Sequence, residues 1–172
     1  MVRERKERTL EQLLVTPIRK PTFVIGKLLP YVFIALLDFY FILGAGWTIF
    51  ELPQPSSHAL LFLLALTYVA VMISSGLFIS PIAKNQQQAM FIAIFIIVPS
   101  ILLSGFIFPL EAIPATVRPI SYIIPFTYFV EIIRGLLIKQ TLFIDLLPQY
   151  ATLLSFVIIF VTASIIKFRR TL

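Results

Sequence analysis

The chain has 172 residues, 59% of them hydrophobic and 13% charged, where an ordinary soluble domain has about 45–50% apolar and roughly 25% charged residues. That balance excludes a soluble globular fold, and the lack of cysteine excludes a disulfide scaffold or thiolate metal site. The formal net charge of +6 does not point to nucleic acid, because the basic residues sit at the ends of apolar runs and read as a membrane-topology signal.

The chain opens on a basic, amphipathic stretch from Glu4 to Leu14. Thr9-Leu10-Glu11-Gln12 matches a capping box, with Thr9 as the cap and Gln12 at the third position. Leu10, Leu13 and Leu14 then form one apolar stripe, and Pro17 ends the helix soon after. Two readings stand on composition: a helix lying on anionic lipid, or a knob that inserts into a water-soluble partner.

Four long apolar runs follow, at Phe23–Phe50, Ala59–Ile82, Ala89–Phe108 and Leu147–Ile166. Each has the roughly 20 residues a helix needs to cross a hydrocarbon core about 30 Å thick. Long runs without alternation are not barrel strands, so helices are the structure that satisfies their backbone in lipid. The expected fold class is therefore all-α, a polytopic membrane protein with four transmembrane helices.

Asp38 lies near the middle of the first run. A carboxylate there costs about 2.5–3.5 kcal/mol on insertion scales, against roughly −0.3 to −0.6 kcal/mol for each central Leu, Ile, Val or Phe. The run still inserts, but Asp38 should turn away from lipid. Tyr31, Ala35, Ile42 and Ala45 share its helical face. Asp38 is read either as a residue of a transport path or as a hydrogen-bonded packing residue. His58, the sole histidine, follows Pro53-Gln54-Pro55-Ser56-Ser57 and reads as a solvated loop residue.

Pro99 interrupts the third run and is followed by Ser100, Ser104 and Gly105. A proline inside a helix frees a carbonyl, and neighbouring serines can re-satisfy it. This is a hinge or a static kink; the residues alone do not choose. From Pro109 to Pro148 five prolines break the chain into short pieces. The apolar stretch Phe126–Ile138 carries Glu131 and Arg134 and is too short to span, which predicts an interfacial or re-entrant helix in an external region over 109–146.

Orientation follows from lysine and arginine. Eleven of the 14 fall before or at the mouth of the first run, between the second and third, or after the fourth; Arg118, Arg134 and Lys139 fall on the other side. The positive-inside rule places both termini in the cytoplasm, as an even number of crossings requires. No phosphate-binding loop, H-E-x-x-H or G-x-S-x-G motif occurs, so no catalytic, cofactor-binding or metal-ligating residues are assigned.

Three stretches resemble the membrane subunit of type-2 ABC exporters: Thr9–Ile18 with Gly26-Lys27-Leu28-Leu29-Pro30, Lys84–Ala89, and Pro99–Pro114. The resemblance covers the whole chain. It implies that residues 1–22 hold a cytoplasmic coupling helix, with Thr9, Leu10, Gln12, Leu13 and Leu14 at the interface with a separate ATP-binding subunit. ATP and Mg²⁺ would act in that partner, not in this chain, which is then not itself an enzyme. A second permease copy, or a homologous permease, would complete the path in a cell (inner) membrane. Pro99, Ser100, Ser104 and Gly105 become hinge candidates and Asp38 a path candidate. Family members usually carry two further spans before the coupling helix, so the resemblance also implies an N-terminally truncated member or half of a split subunit. The alternatives from other classes are a non-transporting scaffold or anchor, and a secondary transporter working through Asp38.

Overall fold

The structure is a computed structural model that describes residues 20–55, 57–80, 82–83 and 85–169. Six α-helices succeed one another: α1 (Lys20–Ile49), α2 (His58–Ile79), α3 (Gln86–Leu103), α4 (Arg118–Ser121), α5 (Pro125–Leu137) and α6 (Leu147–Arg169). Two 3₁₀ turns, Leu110–Ala112 and Phe143–Leu146, lie between them. No strand occurs among the described residues. Four segments are long and apolar enough to cross a membrane: Leu28–Ile49, His58–Ile79, Gln86–Leu103 and Phe143–Ile166. The chain is a multi-pass, all-α membrane protein.

Local chemistry sets the helix ends. Ser57 caps α2, its Oγ accepting from Leu60 N at 3.4 Å, and Asn85 caps α3, its Oδ1 accepting from Gln88 N at 2.7 Å. Such caps satisfy N–H groups that a first helical turn leaves without partners. Helix α3 stops at Leu103, five residues short of the sequence expectation of Phe108. Gly105 is the reason: its φ of +83° is left-handed, and a Cβ there would also meet Leu110 Cγ at 3.3 Å. Pro125 starts α5 at a position where its missing N–H costs nothing.

Helices α2 and α6 form the longest packed seam, with α5 laid against both and α1 against α2. Leu64, Val71, Ile132, Leu136, Leu146 and Leu153 form one buried cluster, and Leu43, Leu61 and Leu137 a second. In lipid these contacts gain little from leaving water; close packing and hydrogen bonds hold the helices together. One such bond joins the spans of the main seam. Tyr150 Oη lies 3.0 Å from Thr67 Oγ1, and the threonine donates its own proton to Leu63 O at 2.8 Å, so the tyrosine is the donor.

Helix α3 is different. None of its residues is buried, and its principal contacts are with α4 and α5. An 18-residue span thus stands beside the α1/α2/α6 bundle, joined to it mainly through the segment that follows.

Candidate functional site

The residues singled out in the sequence fall in three places. Thr9, Leu10, Gln12, Leu13 and Leu14 lie outside the described residues. Asp38 lies on α1 and is exposed. Among the described residues it makes no hydrogen bond or ion pair. Tyr31 and Ile42, on the same face, are 60% and 69% exposed, while Phe39 and Leu43 turn inward to α2 and α5. The chain therefore leaves the acidic face of α1 uncovered. A shallow apolar groove beside it, lined by Phe33, Leu36, Leu37, Tyr40, Phe41 and Phe62, does not include the carboxylate.

The hinge candidates form one run but do not act alike. Pro99 sits inside α3, and Ser100 Oγ donates to Ile96 O at 2.7 Å. That is one residue past Phe95, whose carbonyl the proline deprives of its helical donor. Ser104 caps the C-terminus of α3 and accepts from Phe106 N through Oγ at 3.3 Å. Gly105 lies beyond the helix, in the turn.

The segment after that turn holds the short helix expected over Phe126–Ile138; its packing partners are what the sequence did not show. Helix α5 is strongly amphipathic, with Thr127, Val130, Ile132, Gly135, Leu136 and Leu137 buried. Phe129 stacks on Tyr68 with ring centroids 4.0 Å apart and lies 6.2 Å from Phe39. Both Tyr68 and Phe39 are ten residues from the loop joining α1 to α2, or about 15 Å along their helices. Towards its other end, Ile133 and Leu137 meet Leu43 and Leu61, which are six and three residues from those helix ends. Glycine at 135 permits this packing: a Cβ would come within 2.8 Å of Leu146 Cδ2 and 2.9 Å of Thr141 Oγ1.

Two arginines tie residues 106–134 together. Arg118 Nη2 donates to Glu111 O at 3.1 Å and Ile113 O at 3.2 Å. Arg134 Nη2 donates to Phe106 O at 3.0 Å, bridging α5 to the turn after α3. A signal for this existed in the sequence, since a basic residue in a short apolar stretch needs a polar partner. The Tyr128 hydroxyl donates to Tyr122 O at 2.9 Å.

Among the described residues no group of three or more His, Cys, Asp or Glu is placed to hold a metal ion. The arrangement is one of packed spans, one loosely attached span and a short amphipathic helix joining the two.

The model of the family described as "ABC-2 type transporter" matches residues 1–138. A probable multidrug ABC transporter permease of Escherichia coli, YbhS, is 31% identical over 173 residues, covering 100% of this chain and 46% of its own length. The probable multidrug ABC transporter permease YbhR of the same organism is 33% identical over 141 residues, covering 81% of this chain and 38% of its own. The inner membrane transport permease YhhJ is 28% identical over 174 residues, covering 100% and 46%. The chain thus spans less than half the length of these relatives. No solved structure matches it.

Proposed function

Because this chain belongs to the ABC-2 type transporter family, we propose that it forms part of the permease of an ATP-driven exporter and couples to a separate ATP-binding subunit. The observation that carries the reading is the loosely attached span. Helix α3 buries none of its residues within the chain, and the acidic face of α1 is uncovered as well. A carboxylate facing hydrocarbon is costly, so both surfaces suit contact with further membrane helices or with a polar path. A second permease copy, or a homologous permease, supplies such helices.

In this reading both termini face the cytoplasm of a cell that carries the protein in its inner membrane. The lysine and arginine distribution supports that sidedness. Helix α5 is then re-entrant. It enters from the outer side with Phe129 about 15 Å below the α1–α2 loop, roughly half of a 30 Å core. Leu10, Leu13 and Leu14 form the apolar knob that seats in the ATP-binding subunit, where ATP and Mg²⁺ are bound. Pro99 gives α3 a weak point at which access can change. The relatives named multidrug permeases suggest amphipathic cargo, which suits spans as apolar as these.

Leu13→Asp tests the coupling. A carboxylate buried without a partner costs several kcal/mol, so reconstituted complexes should lose transport-stimulated ATPase activity at least tenfold while membrane insertion stays normal. An unchanged stimulated rate would remove the knob from the mechanism.

A further inference from the structure

Between the turn after α3 and one face of α5 lies a cavity of about 170 Å³, lined by Phe106, Phe126, Phe129, Val130, Ile133 and Arg134. Five walls are apolar and one is a guanidinium. The α5 residues sit at helical spacing, so they form a single face of that helix. The rings are ordered against one another: Phe126 lies 5.9 Å from Phe106 and 6.2 Å from Phe129.

The charge is what needs an explanation. Arg134 spends one N–H on Phe106 O, and arginine has five donors and no acceptor. Among the described residues no carboxylate pairs with it. Glu131, one turn earlier, does not line the cavity. A guanidinium left without a counter-ion beside apolar walls is costly.

Depth decides the kind of anion. Ile133 and Leu137, which flank Arg134, pack on Leu43 and Leu61, about 5–9 Å below the outer ends of α1 and α2 at 1.5 Å per residue. Phe126 lies 6.0 Å from Tyr68, near the 15 Å level. The polar layer on each side of a bilayer is some 6 Å thick. Arg134 therefore sits near the boundary between phosphates and acyl chains, and the phenylalanines run below it. The apolar wall continues to the surface, since Phe106 is 55% exposed. A cavity of about 150 Å³ takes a benzene-sized group, so this volume holds a short length of hydrocarbon.

We propose that this cavity is a binding site for one outer-leaflet phospholipid, its phosphate on the Arg134 guanidinium and part of one acyl chain against Phe106, Phe126 and Phe129. The proposal rests on the sidedness given under the proposed function. A lipid there would bridge α5 to the end of α3, the same two elements that the Arg134–Phe106 hydrogen bond joins.

The test uses the permease complex reconstituted in vesicles of phosphatidylethanolamine and phosphatidylglycerol at three to one. A trace of phosphatidylglycerol carries a photoreactive diazirine in its acyl chain. After irradiation, adducts are mapped by mass spectrometry. The site predicts adducts concentrated on the peptides carrying Phe106 and Phe126–Phe129, at least fivefold above other lipid-facing segments. Arg134→Gln should reduce them at least fivefold, and Arg134→Lys, which keeps the charge, should retain most. Retention in the lysine variant also shows that the loss is not misfolding. Adducts spread evenly over all spans, or unaffected by Arg134→Gln, would overturn the site. Competition by millimolar inorganic phosphate would overturn the lipid and leave a free-anion site. Labelling of Gln54→Cys by an impermeant maleimide from outside checks the sidedness separately: failure there defeats the topology, whereas external labelling with unchanged adducts defeats only the lipid.

Discussion

At Tyr150 a single hydroxyl ties two spans together. It donates to Thr67 across the α2–α6 seam at 3.0 Å, and bonds of this kind within membranes average about 0.6 kcal/mol. Tyr150→Phe should destabilise the chain by about that amount in a reversible unfolding titration. A loss above roughly 2 kcal/mol would mean that the hydroxyl carries more than this one bond.

Among the elements, α3 and α5 divide the work. The end of α3 depends on Gly105, whose left-handed backbone strains any side chain and where a Cβ would press on Leu110. Gly105→Ala should cost about 1–2 kcal/mol and loosen the turn that Arg134 holds, seen as faster hydrogen exchange at residues 104–108; unchanged exchange would contradict it. The sequence made the long helices readable because lipid demands length and apolar composition, and those are visible in any window of the chain. It made α5 readable as a short helix for the same reason. It could not show that Phe129 stacks on Tyr68 or that Arg134 reaches Phe106, since those pairs are 61 and 28 residues apart in sequence and spacing says nothing about them. The hinge residues divide similarly. The prolines of the chain announce a break, but whether Gly105 lies in the helix or after it depends on a dihedral angle.

For the whole molecule, what the chain leaves uncovered matters as much as what it packs. The bundle of α1, α2, α5 and α6 closes on its own core. The acidic face of α1 and all of α3 do not. In water such surfaces would aggregate; in a bilayer the apolar ones are solvated, and only Asp38 calls for a polar neighbour. A permease made of more than this one chain accounts for both, and in the proposed reading an ATP-binding subunit supplies its energy. The most direct measurement is affinity purification of the tagged chain from its own host's membranes, in mild detergent, followed by mass spectrometry and an ATPase assay of the eluate. The account predicts an ATP-binding subunit in fixed ratio to the permease and hydrolysis that depends on it. A chain that purifies without any ATPase, from membranes in which it is stably inserted, would contradict the exporter reading.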